Sequence, residues 1–158
     1  QDYLEQLIPD MDHDQAFSRA LKGQNVVMGF LLHATEDDSV GALPSPWSIF
    51  PPDAQRQLTV PLMRSYTGNL KVLQKAAKYG GFLNTTMDAD GVLRSTPLVL
   101  GHDGMIYPSL SLALARRYNK ALRFKVETAA SGDLEHVIGL WLDRTLIPTD
   151  QYGRVLIP

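Results

Sequence analysis

The sequence predicts an α/β domain: a largely parallel central sheet with flanking helices, plus an antiparallel hairpin region. Three observations predict it. A helical stretch introduced by Asp12-His13-Asp14 precedes the apolar run Val26-Val27-Met28-Gly29-Phe30-Leu31-Leu32-His33, and a second helical stretch, 65–79, precedes the run 82–86. Helix followed by buried strand is the α/β pattern. Asp90-Gly91 lies between apolar segments, a hairpin signal because type I′ turns need the positive φ that glycine supplies. From 137 onward, short apolar segments alternate with turn residues, as antiparallel strands do.

In chain order, Gln1 to Met11 is weakly patterned. Ala16, Phe17, Ala20 and Leu21 recur at helical spacing between an acidic cap and Gly23, which delimits a short amphipathic helix. The Val26–His33 run is too short for a membrane span and rich in β-branched residues, so it reads as a strand buried on both faces. Residues 34–61 form a long segment with Pro44, Pro46, Pro51, Pro52, Pro61, Trp47 and Phe50. Loops of this length cover sites, meet partners or move, and Trp47 and Phe50 can pin this one to the core, lid a pocket or meet a second protomer.

Over 65–79, Leu70, Leu73, Ala76 and Ala77 make an apolar stripe, Lys71, Lys75 and Lys78 a wet face, and Gly80-Gly81 the stop. Strand 82–86 turns at 88–91 into strand 92–100. His102-Asp103-Gly104 turns the chain again into 105–107. Pro108 is placed as the first residue of a helix running to Tyr118, apolar almost all round until Arg116-Arg117 and therefore buried. Strand 137–142, the turn Asp143-Arg144, the return Leu146-Ile147-Pro148, the turn Gln151-Tyr152-Gly153 and Val155-Leu156-Ile157 close the chain.

Composition bounds the function. With 158 residues, 44% apolar and 20% charged, the chain is long enough for one packed domain and has the balance of an ordinary globule. A net charge of −2, with Arg116-Arg117 the lone adjacent basic pair, gives no reason to expect nucleic acid as a partner. The absence of cysteine removes disulfides, thiolate metal sites and cysteine nucleophiles, and suits an oxidising compartment. No apolar run reaches the roughly 18 residues of a membrane helix. Since Gln1 is not an initiator methionine, the chain is expected to be a processed or excised piece with membrane segments outside it.

The ordered parts resemble the type-two CHASE domain, the cyclase- and histidine-kinase-associated sensory extracellular family. They are Val26-Val27-Met28-Gly29-Phe30 after the Asp-led helix, Gly81-Phe82-Leu83-Asn84 running into Asp88-Ala89-Asp90-Gly91-Val92-Leu93-Arg94 and Pro97-Leu98, then Tyr107-Pro108-Ser109-Leu110-Ser111-Leu112-Ala113-Leu114. Ile147-Pro148-Thr149-Asp150 with Gly153 and Val155-Leu156-Ile157 complete them. Within this set Gly81, Phe82, Asp90, Gly91, Arg94 and Pro108 are the structural signature. The resemblance implies one extracytoplasmic sensor domain over 1–158, on the periplasmic side of a bacterial inner membrane. Its parent would be a membrane-anchored cyclase, histidine kinase or serine/threonine kinase. Family members usually begin with an acidic strand, a Trp-Pro-rich turn, a helix and a further strand that are not present here. The resemblance therefore implies a fragment with an unpaired sheet edge, and self-association through it as a homodimer.

The residues leave several chemistries open. Asp12-His13-Asp14 suits a metal or an N-cap, where carboxylates are favoured. His33 ends a strand where ligands of open α/β sheets bind, or simply closes that strand against a loop. Asp88 and Asp90 are hard oxygen ligands, but Val92 occupies the next alternate position of a calcium loop and no distal glutamate follows. Arg94 either pairs with those carboxylates across the turn, as buried guanidinium groups do, or holds an acidic ligand. Ser109 and Ser111 suit capping or anion binding at a helix start.

No nucleophile elbow, His-Glu-x-x-His or phosphate loop is present, and His13, His33, His102 and His136 are dispersed. The segment is therefore read as non-enzymatic, without cofactor or metal. A ligand pocket is expected where strands 26–33 and 82–86 end, under the proline-rich loop, with Arg94, Asn84, His33, Asp88 and Asp90 as binding candidates for an unknown small ligand or periplasmic partner. The rival readings are a ligand-free structural or dimerisation module and a metal-dependent hydrolase.

Overall fold

A computed structural model describes residues 12–49 and 57–157. Its elements begin with α1 (His13–Leu21), β1 (Val27–His33), β2 (Ser48–Ile49), β3 (Gln57–Leu58), β4 (Leu62–Met63) and β5 (Ser65–Thr67). Next come α2 (Lys71–Ala77), β6 (Tyr79–Phe82), β7 (Ser95–Pro97), β8 (Val99–His102), β9 (Met105–Pro108) and α3 (Leu110–Tyr118). The chain ends with β10 (Phe124–Ser131), β11 (Leu134–Leu142), β12 (Thr145–Pro148) and β13 (Arg154–Leu156). Residues 1–11, with Phe50, Pro51 and Pro52, lie outside the described residues.

The predicted α/β class is overturned. Among the described residues, strands take 42% and helices 18%, in four small sheets ordered β5-β1-β6, β10-β11-β12 with β3 beside β11, β13-β7 and β2-β9-β8-β4. Among the described strands, parallel pairing is confined to β1 with β6 and to the two-residue contacts β3·β11 and β4·β8. The physical reason lies in the connections. Two-residue turns at 103–104, 132–133 and 143–144 join their flanking strands, and so short a link admits only antiparallel neighbours. An apolar run reports burial and says nothing of direction.

α1 forms as read: Asp12 accepts the Gln15 N–H at 2.9 Å, and Gly23 follows at φ +78°. Its buried edge is Ser18 and Leu21, however, and Phe17 is exposed. Ser18 Oγ donates to the Val72 carbonyl of α2, so the contact with α2 selects that edge over the Ala16/Phe17/Ala20 stripe. β1 is buried on one face only, through Phe30 and Leu32, while Leu31 stays exposed.

The helix predicted over 65–79 is shortened, because 65–67 pairs with β1 as β5. At Gly68 the chain crosses the backbone of Ala42 so closely that a Cβ would strike the Ala42 carbonyl. α2 stops at Lys78, whose φ is +65°, and Gly80 and Gly81 belong to β6.

Pro108 ends β9 and does not open α3. Ser109 is the N-cap, its Oγ accepting the Leu112 N–H at 3.2 Å. The predicted all-round burial of α3 fails too: Leu112 and Ala113 are buried, but Leu114 and Tyr118 face solvent.

The type I′ geometry belongs to the other Asp-Gly pair. Asp103 and Gly104 both have positive φ, +48° and +69°, between the paired residues His102 and Met105. At 88–91, the Asp88 carbonyl accepts from Gly91 N–H, Asp88 N–H donates to the Val92 carbonyl, and Gly91 sits at φ +80°. The chain reverses there, but β6 has already ended at Phe82, and strand structure resumes at Ser95, paired with β13. Residues 92–94 are exposed and not strand.

The largest core cluster unites Leu58, Val60, Val99, Ile106, Leu112 and Leu140 with their neighbours. A second gathers Phe30, Leu32, Phe82, Leu100 and Tyr107. Burial raises the Tyr107 phenol's pKa, with Asp103 and Tyr66 acting in the same direction. The folded state thus keeps this proton longer than the unfolded chain, whose tyrosines ionise near 10. The stability linked to it is fully present below that pH and is lost as pH rises through the folded value. An ultraviolet phenolate titration of the native chain should show one late-ionising tyrosine that is absent in Tyr107→Phe. A native-state titration identical in the two would refute this.

Candidate functional site

The predicted site residues fall into two groups. His33 and Asn84 lie where β1 and β6 end. The Asn84 side chain replaces a missing strand residue: its Oδ1 accepts the Leu32 N–H at 3.0 Å and its Nδ2 donates to the Leu32 carbonyl at 2.6 Å. His33 Nε2 is 2.9 Å from Thr67 Oγ1 on β5.

The second group is the 88–94 turn. Arg94 donates to Asp88 Oδ2 at 3.0 Å and to Asp90 Oδ1 and Oδ2 at 2.9 and 2.8 Å. The Arg94 guanidinium, aided by the Val92 N–H, holds the Asp90 carboxyl below the usual carboxylate range, and Asp90 followed by Asp88 pushes the Arg94 pKa upward. All three side chains are substantially exposed, so water and salt screen the cluster. It ties a reversal together in solvent. No hydrogen bond or ion pair joins it to His33 or Asn84 among the described residues.

The remaining signature residues serve packing. Gly81 and Phe82 lie against the start of α3, with a bridge from Phe82 to Ser109, and Phe82 is 1% exposed. A Cβ on Gly81 would stand 2.5 Å from Leu110 Cα. Pro108 is fully buried just ahead of that contact.

A cleft of about 400 Å³ lies at the opposite end of β6 from the expected pocket. Three segments build it: Ser45-Pro46-Trp47, Lys78-Tyr79-Gly80, and the last turn of α3 with Ala121 and Leu122. The Arg116 guanidinium lies 4.4 Å from the Trp47 ring centroid, and the Arg117 guanidinium 4.0 Å from that of Tyr79. Arg116 Nε and Nη2 donate to the carbonyls of Ala121 and Leu122, and Arg117 Nε donates to Asn25 Oδ1 at 2.7 Å. Trp47 pins its loop: its N–H donates to the Ile106 carbonyl and its ring meets Phe124 edge-on at 5.0 Å. The adjacent pair Arg116-Arg117 is visible in the sequence, but only the fold brings Trp47 and Tyr79 beneath it.

Among the described residues, no three of histidine, aspartate and glutamate stand close enough to hold a metal ion. Asp12 acts as a helix cap, and His102 Nδ1 lies 3.1 Å from the Met63 carbonyl. No helix among the described residues is long and apolar enough to cross a membrane. A family model described as "CHASE2 domain" matches residues 2–158. CHASE2 is a sensory extracellular family of signalling proteins, and its domains are not catalytic. No curated protein and no solved structure gives a significant match.

Proposed function

We propose, on the premise that this chain belongs to the CHASE2 domain family, that it is the periplasmic input domain of a bacterial membrane-anchored signalling protein. An outside event, binding of a small ligand or contact with a partner, alters its geometry, and flanking membrane helices relay the change to a cyclase or kinase within. The observation that carries this reading is the family match across residues 2–158. Relay requires two states and a ligand that prefers one of them.

The test uses the full-length gene product in its native membrane. A reporter enzyme active only in the periplasm, inserted at the exposed Asp103-Gly104 turn, should be active, and excision of this segment should change cyclase or kinase output. A reporter active only on the cytoplasmic side would overturn the proposal.

A further inference from the structure

We propose that the cleft between Trp47, Tyr79 and the end of α3 binds a small organic anion, with an apolar body and a carboxylate or phosphate head. Arg64, Arg94 and Arg154 each hold a carboxylate, at 2.8, 2.8 and 2.7 Å. Arg116 and Arg117 are held instead by neutral carbonyl and amide oxygens, which orient a guanidinium without cancelling its charge. Lys78 adds a third cation, and among the described residues no acidic residue lines the cleft. Among the described residues none of these three cations forms an ion pair, in a chain of net charge −2.

Burial lowers the Arg116 pKa, and the neighbouring Arg117 charge acts in the same direction. Asp143 and Tyr79 act in the opposite direction on Arg116. The Asp143 carboxylate accepts from the Leu122 and Arg123 N–H groups, the latter at 2.8 Å, and is not a lining residue of the cleft. The aromatic faces hold both guanidinium planes in place, so little ordering remains to be done on binding. Pro46, Ala113 and Leu122 supply apolar walls, and the volume falls within the range of small-molecule sites. Binding stands on this geometry alone; its role as the signalling input rests on the sensor reading above.

The probes are benzoate, phenyl phosphate, inorganic phosphate and benzamide, titrated into the 158-residue chain with the Trp47 indole N–H signal as the nuclear magnetic resonance readout. Benzoate, phenyl phosphate or both should bind saturably and shift that signal, and the stronger of the two identifies the head group. Benzamide should not bind, and inorganic phosphate should bind more weakly than phenyl phosphate.

Arg117→Gln and Lys78→Gln should each weaken binding by about tenfold or more, the scale of one lost hydrogen bond to a charged group. Lys78 is exposed, so its variant remains a fair test if Arg117→Gln fails to fold. Equal binding of benzamide and benzoate, no saturable binding at millimolar ligand, or unchanged affinity in Lys78→Gln would overturn the proposal. Those outcomes concern the cleft alone, whereas the periplasmic reporter tests the sensor reading.

Discussion

Gly81→Ala should lower stability by about 3 kcal/mol, the upper end of the cost of overpacking, and the melting temperature by ~10 °C. The added Cβ would meet Leu110 Cα at 2.5 Å and Leu110 N and Ser109 C at 2.6 Å. These are backbone atoms at the first turn of α3, and they cannot rotate away. β6 must move off the helix, which opens the cluster containing Phe82, Phe30 and Tyr107. Gly29 is the informative contrast. Its Cβ would meet Leu83 side-chain carbons at 2.8 and 3.0 Å, and Leu83 is largely exposed. Trimming that neighbour should relieve the clash, so Leu83→Ala should rescue Gly29→Ala. Leu110→Ala should leave Gly81→Ala unrescued, because its obstacle is main chain. Thermal melts of both double-mutant cycles measure this. Equal rescue in the two cycles would refute the close backbone approach.

The same residues show what is legible in the sequence. Gly80-Gly81 reads as the end of a helix, since glycine commonly follows a C-terminus, yet α2 ends at Ala77 with Lys78 as its C-cap. Gly81 admits α3 against β6, and Gly80 leaves room for Pro44 and the Met28 carbonyl. Composition alone does not distinguish glycine needed for its φ from glycine needed for its lack of a side chain. The Asp-capped first helix is legible because its signal is local. The type I′ turn is expected at Asp90-Gly91 and found at Asp103-Gly104. The two dipeptides are identical, and the difference comes from whether the flanking segments have a pairing partner on each other. Strand β10 escapes the sequence reading, although Phe124, Val126 and Thr128 alternate with Lys125 and Glu127 and lead to Gly132.

The candidate site is legible in part for a related reason. The family-like run around Asp88–Arg94 draws attention to charges, and the structure pairs those charges with one another at the surface. The cleft is assembled from residues 45–47, 78–80 and 116–122, whose proximity depends on the parallel pairing of β6 with β1 and on Trp47 docking to β9. Neither contact leaves a local trace. Of the five ligand candidates, Asn84 has the most demanding structural duty. It follows Leu83, just beyond the end of β6, whose N–H still donates to the Phe30 carbonyl.

Asn84→Ala should therefore cost about 2–4 kcal/mol, the penalty for leaving a buried donor and acceptor unpaired. Leu32 is 1% exposed, and its N–H and carbonyl both turn to the Asn84 amide. Hydrogen exchange at the Leu32 amide should accelerate in the variant more than exchange in β10 and β11, because the opening is local. Asn84→Asp separates the two bonds. The carboxylate it introduces still accepts from Leu32 N–H but sets an acceptor against the Leu32 carbonyl. Ionisation is thereby disfavoured in the fold, and the pKa of the introduced carboxyl rises above about 3.9. With the folded value raised, the recovered stability is fully present below the unfolded pKa and is lost as pH rises through the folded one. Relative to the parent, the Asn84→Asp variant should gain stability on acidification, whereas Asn84→Ala should show no such gain. Denaturant melts of the three proteins across the acid range measure it, and parallel pH curves for the two variants would show that the amide does not bridge Leu32.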